Sequence, residues 1–247
     1  MKTDHKQNSF KYVFSIIIPA FNEEFRIEKS VEKIFSTLKG ASYELILIDD
    51  GSSDNTWEIL TQIKNSYSDI KIIKLKKNRG KGFAIKTGFQ NANGKYILMT
   101  DADLSTPIET LFELETNLNE YDVLIGSRII NSEKTVSHGP ISRKILRKIS
   151  RIIRKILFNI DINDTQCGFK IFRNQVAKEI ALKMTIDRYG ADLEKIIIAK
   201  KLGYKIKEIP VSWIFDGEHS KINLFKDSYK TLKEWLKIKL NLLFNKY

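Results

Sequence analysis

The feature that most constrains this chain is a repeated alternation, through its first half, of short apolar runs with longer amphipathic stretches. Runs at residues 14–19, 44–49, 70–75, 95–100 and 122–127 predict strands, and the intervening 24–38, 54–65, 81–91 and 107–119 predict helices. Pro107 falls in the first turn of the last of these, where its missing N–H costs little. A helix between successive strands returns the chain to the same end of a sheet, so the strands run parallel and need cover on both faces. The expected fold class is therefore α/β: a doubly wound, mostly parallel sheet with helices on both faces.

In sheets of this kind ligands bind beyond the carboxyl ends of the strands, and the polar clusters of the sequence stand there. Residues 19–23 follow the first strand, 49–54 the second, 76–82 the third, 101–105 the fourth, and Arg128 the fifth. Asp101-Ala102-Asp103 sets two carboxylates at a strand end. A nucleotide diphosphate and two carboxylates repel one another, and a hard divalent cation with oxygen ligands is the ordinary way to join them. Asp49-Asp50-Gly51-Ser52-Ser53-Asp54 provides a carboxylate for a nucleobase imide, a glycine turn, and Ser53 or Asp54 to cap the next helix. Pro19-Ala20-Phe21-Asn22-Glu23-Glu24 offers Phe21 to stack on a base and Glu23 to bind a ribose hydroxyl, with Asn22 as an alternative helix cap. Residues 76–82 bring two glycines and four basic side chains to a helix start, which suits anions, although the spacing of a Walker loop is absent.

Beyond residue 137 the regime changes. Residues 139–160 hold seven basic side chains and no acidic one. At about 100° per residue from Arg143 the basic positions Arg143, Lys144, Arg147, Lys148, Arg151, Arg154 and Lys155 span about 0° to 140°, while the isoleucines and Leu157 span about 160° to 320°. That is an amphipathic helix with a cationic face, suited to the head-group boundary of a bilayer. Further on, 168–172 predicts a strand, 191–201 a helix, and 204–213 a strand that Pro210 places at an edge. The tail, 222–247, reads as a second basic amphipathic helix, with a strand over 236–242 as the alternative.

Composition narrows the classes. The net charge of +12 favours polyanionic partners. A lone cysteine, Cys167, excludes an intrachain disulfide, and three scattered histidines form no zinc site of ordinary spacing. Residues 1–12 form a polar N-terminal segment, and no apolar run approaches the length that spans a bilayer, so the expected location is cytoplasmic and peripheral to a membrane face.

Taken in order and spacing, Ile18-Pro19-Ala20-Phe21-Asn22-Glu23-Glu24, Asp49-Asp50-Gly51-Ser52, Asp101-Ala102-Asp103-Leu104 and Gly126-Ser127-Arg128 resemble glycosyltransferase family 2, over residues 14 to 221. Asp164-Thr165-Gln166-Cys167-Gly168-Phe169-Lys170 resembles the branch that glycosylates dolichyl or other polyprenyl phosphates, nearest its dolichyl-phosphate β-glucosyltransferases. The resemblance implies a GT-A type domain over residues 13–221 followed by C-terminal amphipathic helices. It implies inverting transfer of a hexose from a nucleotide diphosphate sugar to a polyprenyl phosphate, dependent on Mg²⁺ or Mn²⁺. Donor contacts carried over are Pro19, Phe21, Glu23, Ile48, Asp50, Asp101, Ala102, Asp103 and Lys221, with Asp103 the main metal ligand beside Asp101. Two departures bear on the donor: Ser105, as a third and weaker metal ligand, stands where mannosyl-transferring members carry a metal-binding glutamine, and Phe215 where they carry an arginine. Both favour UDP-glucose over GDP-mannose.

An ionised lipid phosphate attacks without a general base, whereas a sugar hydroxyl needs one. Arg128, Arg143 and Arg147 are the candidates for the acceptor phosphate, and Asp192 is the base if the acceptor is a glycan or protein hydroxyl. The expected partners are a nucleotide sugar, a polyprenyl phosphate, a membrane surface and a separate membrane protein. A non-enzymatic nucleic-acid module is the remote alternative, without a recognised reader motif.

Overall fold

The computed structural model describes residues 10–130, 141–214 and 224–247, with only the helical backbone for 141–147 and 224–227. Five parallel strands come from the expected alternation: β1 (Tyr12–Ala20), β2 (Tyr43–Asp49), β3 (Ile70–Lys74), β4 (Gly94–Met99) and β5 (Val123–Ser127). Between them lie α1 (Ile27–Thr37), α2 (Thr56–Ser66), α3 (Lys81–Asn91) and α4 (Thr110–Glu115). Then follow α5 (Ile141–Phe158), β6 (Lys170–Arg173), α6 (Asn174–Lys183), α7 (Ala191–Lys201), β7 (Ile206–Pro210) and α8 (Leu224–Leu243).

The seven strands form one sheet in the order β3-β2-β1-β4-β6-β5-β7. All neighbours are parallel except β6, which runs antiparallel to β4 and β5. Because β6 is reversed, its leading loop arrives at the edge where the other strands end, and residues 164–170 join the site. β7 takes the edge position that Pro210 predicts.

The pleat divides β1 between two cores. Ile16 and Ile18 face α1, α2 and α4 on one side, and Ile17 faces α3, α6 and α7 on the other. Val176, Ala177, Ile180 and Ala181 of α6 fill the second core, as do Trp235 and Ile238 of α8.

Three expectations change. The helix expected from residue 24 begins at Ile27, because the Glu23 carbonyl first accepts the N–H groups of Arg26 and Ile27 in a turn. α4 is one short stretch followed by turns where a longer helix was expected. The wheel of α5 is altered on its cationic face: Arg154 is buried, its guanidinium over the Trp235 ring and bonded to the Asn163 carbonyl, while Ile149, Ile152 and Ile156 of the apolar face are exposed, as an amphipathic surface helix would have them. The tail is a helix and not a strand.

Candidate active site

The loops after β1 and β2 are hydrogen-bonded together. Asn22, at φ 56, donates its N–H to Ser52 Oγ at 2.9 Å and accepts the Ser53 N–H at 2.8 Å, while Glu23 N–H reaches Thr56 Oγ1 at 2.7 Å. Asn22 therefore fastens two loops instead of capping α1, and Asp54 rather than Ser53 serves the start of α2, accepting from Thr56 N at 3.0 Å. Phe21 stands partly exposed on the crest of this pair, and the Glu23 carboxylate is ion-paired with Arg26.

Asp50 organises the third loop. Its Oδ1 accepts from Arg79 N at 2.8 Å, and its Oδ2 from Gly80 N at 2.7 Å and Asn78 Nδ2 at 3.1 Å. Burial raises its pKa, and the two backbone N–H groups offset part of that rise. With three donors already bound, Asp50 holds the loop of residues 78–80 against the end of β2. The neighbouring Asp49 is fully buried, with Oδ1 on Ser52 N and Oδ2 without a hydrogen-bond partner. Gly51, at φ 71, is required here: a Cβ would meet the Lys77 carbonyl carbon at 2.6 Å. Ile48 is buried in the core, so its side chain supports the loop and cannot face a ligand. Ala102 is likewise buried, and its carbonyl accepts from Ser30 Oγ.

The two aspartates at the end of β4 are differently placed. Asp101 is ion-paired through Oδ1 with Lys81, the first residue of α3, and Lys81 Nζ also stands 4.0 Å from Asp192. Burial opposes the Lys81 charge, but Asp101 and Asp192 outweigh it and leave its pKa raised. The other face of Asp101 lies against Gly168, where an added Cβ would stand 1.9 Å from Asp101 Oδ2. Asp103 accepts the Ser105 N–H at 2.9 Å through Oδ1. Among the described residues no three His, Cys, Asp or Glu side chains gather as a closed metal cage. The donor set fits a magnesium-type ion held by one or two carboxylates, with substrate phosphate and water supplying the other oxygens.

Arg128 leaves β5 and is gripped by Asp164, its Nε at 2.6 Å and Nη2 at 2.9 Å, with its backbone N–H on the same carboxylate at 3.1 Å. Its guanidinium lies 5.3 Å from the centre of the Trp213 ring. Burial pushes the Asp164 carboxyl up, but Arg128 outweighs it, so the pair stays ionised. The side chains of Arg143 and Arg147, and Lys221 and Phe215 entirely, lie outside the described residues.

Asp192, the candidate base, is buried among lysines: Lys195 Nζ at 3.2 Å, Lys170 Nζ at 3.5 Å and Lys81 at 4.0 Å. Burial alone would raise its pKa, but these ammonium groups hold it well below the ordinary carboxylate range. A base so weakened is poorly matched to a hydroxyl proton near neutrality. Lys195 escapes a reading of the sequence for motifs, and Lys170 enters it only as the last residue of the Asp164–Lys170 motif, with no role attached. Their signal is a lysine set inside an apolar run, Phe169-Lys170-Ile171 and Lys195-Ile196-Ile197-Ile198, which demands a buried counter-charge.

Residues 15–181 match the family model described as glycosyl transferase family 2. The chain is similar to a dolichyl-phosphate beta-glucosyltransferase of Dictyostelium discoideum, 35% identical over 93% of this chain and 74% of that protein. It is 32% identical to the Saccharomyces cerevisiae protein of the same name over 98% of this chain and 78% of that one. In fold it is similar to glucosyl-3-phosphoglycerate synthase from Mycobacterium tuberculosis, solved with Mn²⁺, UDP and glucosyl-3-phosphoglycerate, at TM-score 0.66 and 18% identity over 92% and 80% of the two chains. A mannosyl-3-phosphoglycerate synthase from Rubrobacter xylanophilus aligns at TM-score 0.69 and 13% identity over 94% and 74%. The GT-A type sheet, the paired aspartates after β4 and the match over most of the chain lead to one conclusion: this chain belongs to glycosyltransferase family 2 and is a glycosyltransferase.

Proposed function

We propose that this chain transfers glucose, with inversion, from UDP-glucose to dolichyl phosphate or a related polyprenyl phosphate. The observation that carries the acceptor class is Asp192. Three lysine ammonium groups surround Asp192, the candidate base, which supports an acceptor that arrives already ionised, as a phosphate does. Glucose as the transferred sugar is supported by the relatives' names, and UDP as its carrier by Ser105 in place of a metal-binding amide.

In this reading the joined loops of β1 and β2 hold the nucleoside, with Phe21 and Pro19 at its face and Glu23 at the ribose. Asp103, with Asp101 beside it, would hold a Mg²⁺ or Mn²⁺ ion, which when bound neutralises the diphosphate and stabilises its departure. Lys81 keeps the Asp101 carboxylate in place. An acceptor phosphate oxygen attacks the anomeric carbon from the face opposite the diphosphate, forming one C–O bond as the bond to the leaving UDP breaks with its electron pair. Arg128 stiffens the acceptor side through Asp164, and Arg143 and Arg147, on α5, supply positive charge. The lipid acceptor brings the enzyme to a membrane surface, and no described helix is long and apolar enough to cross one.

The test is incubation with radiolabelled UDP-glucose, Mn²⁺ and dolichyl or undecaprenyl phosphate. Label should partition into organic solvent, and Asp103→Ala should abolish it. Label that stays aqueous, on a glycan or protein, overturns the acceptor, and transfer from GDP-mannose in preference overturns the donor.

A further inference from the structure

We infer that α8, together with the exposed isoleucines of the adjacent α5, forms a docking surface for an anionic lipid bilayer. α8 is apolar on two separate sides. At about 100° per residue, buried Trp235 and Ile238 and half-buried Leu242 fall within about 60° of one another and pack into the core. Tyr229, Leu232, Leu236, Leu240 and Leu243 occupy an arc about 100° to 180° away from Thr231, on the solvent side. There Leu236, Leu240 and Leu243 are 51%, 52% and 66% exposed. A helix that merely covers a domain carries polar residues on that side, and contiguous exposed apolar surface marks an interaction site.

The same feature recurs next door. Ile149, Ile152 and Ile156 of α5 are exposed, the last at 77%. The two helices are joined by Arg154 over Trp235 and by Lys239 Nζ donating to the Leu157 carbonyl at 2.7 Å.

Charge selects the occupant. Lys230 and Lys233 flank the stripe of α8 and are exposed, as are Lys148 and Lys155 on α5, a helix with no acidic residue. Among the described side chains of α8 the acidic one, Glu234, turns inward to accept the Gly190 N–H. A second copy of this chain would set these lysines against their own counterparts, whereas an anionic surface neutralises them while the leucines and isoleucines enter the acyl boundary. Glu234 and Gly190 also tie α8 to the start of α7, two residues from Asp192, so the docked face is rigidly registered with the site.

This surface is where the proposed lipid acceptor would be met, and the inference rests on that reading only for its purpose. Its test contains no acceptor and no donor, so the two fail separately. The full chain is sedimented with vesicles of phosphatidylcholine alone or with about 30% phosphatidylserine. Binding is expected only with the anionic lipid. Lys230→Gln with Lys233→Gln should weaken it about twenty-fivefold, at about fivefold per lysine. Leu236→Glu with Leu240→Glu should weaken it at least about tenfold, with the melting temperature unchanged because both side chains are exposed. Wild-type protein left in the supernatant at every composition overturns the inference, as does undiminished binding by the Leu236, Leu240 variant. A dimer that this variant dissolves makes the occupant a second copy. Binding to native membranes that protease treatment of those membranes removes, with none to protein-free vesicles, makes it a membrane protein. Either result replaces the bilayer.

Discussion

Gly168→Ala should yield a protein that is fully folded and nearly inactive. Gly168 does not sit at positive φ, so alanine meets no backbone strain there, and the loss of chain freedom in the unfolded state favours the variant by about 0.4–1 kcal/mol. The new Cβ, however, would stand 1.9 Å from Asp101 Oδ2, and contacts under 3.0 Å are essentially never tolerated. The carboxylate must withdraw by at least about 1.1 Å, which its short side chain can do by rotating, at the expense of its ion pair with Lys81. A shift of about 1 Å at a reacting centre lowers rates about 10²-fold, or about 2.7 kcal/mol in the barrier. The assay is kcat/KM for transfer from UDP-glucose alongside the urea midpoint. Gly203→Ala is the converse control. Its φ of 80 strains any side chain, but nothing lies within 4 Å, so it should lose about 1 kcal/mol of stability and no activity. Activity of Gly168→Ala within about twofold of wild type would show that the position of Asp101 is not what Gly168 protects.

Asp103→Ala should remove the rise in melting temperature that UDP-glucose produces with Mn²⁺, a rise of about 2.7 kcal/mol in stability at a hundredfold excess over Kd; an undiminished shift would take the metal role from Asp103. Asp192→Asn leaves Lys170 and Lys195 buried without their counter-charge and should lose about 3–5 kcal/mol in urea unfolding; wild-type stability with no activity would restore Asp192 as a base. Arg128→Met abandons the buried Asp164 and should cost a similar amount, about 3–5 kcal/mol, by the same measurement. Lys195 is lowered from the ordinary 10.5 to about 8, chiefly by burial and only partly offset by Asp192. From about pH 8 to 10.5 the unfolded chain holds a proton that the folded chain has released, so wild-type stability rises with pH across that window and is flat below it for this group. Lys195→Met should lack that rise in a comparison of melting temperatures.

The strand and helix order of the first half was legible because each run is separately patterned: β1, β2, β3, β4 and β5 all stand within a few residues of their expected bounds. The direction of β6 was not, since four residues carry no sign of antiparallel pairing, and it is that reversal which brings Asp164, Gly168 and Lys170 to the site. α6 went unread although Val176, Ala177, Ile180 and Ala181 carry the helical spacing. α5 shows why a wheel is incomplete. It tells which residues share a face but not which face the core claims, and Trp235, some eighty residues away in the chain, claims Arg154. At the site the sequence placed Asp101, Asp103 and Asp50 at the correct strand ends. It did not say that Asp50 would be consumed by the backbone of residues 79 and 80, or that Lys81 would reach Asp101.

Those partners change the electrostatic character of the site. Read as a list of motifs, the strand ends are acidic, and two anionic substrates would be repelled from them. In the structure three of these acids are met by cations: Arg128 for Asp164, Lys195 and Lys170 for Asp192, and Lys81 shared between Asp192 and Asp101. Lys81, Lys170 and Lys195 face Asp101 and Asp192, so this inner layer carries a net positive charge as long as all three lysines are protonated. Among the described residues no basic side chain is ion-paired with Asp103, whose Oδ1 takes a backbone N–H. A divalent ion held at Asp103 would add positive charge in front of a wall that is already cationic, which would suit the proposed phosphate acceptor and diphosphate donor. Deprotonation of Lys195 near pH 8 removes one charge from that layer without touching any substrate. The same titration that stabilises the fold in mild alkali should therefore lower kcat, and Lys195→Met should show the lowered kcat at every pH. A variant with wild-type kcat throughout would mean that the inner lysines hold the fold together and do nothing for the approach of the acceptor.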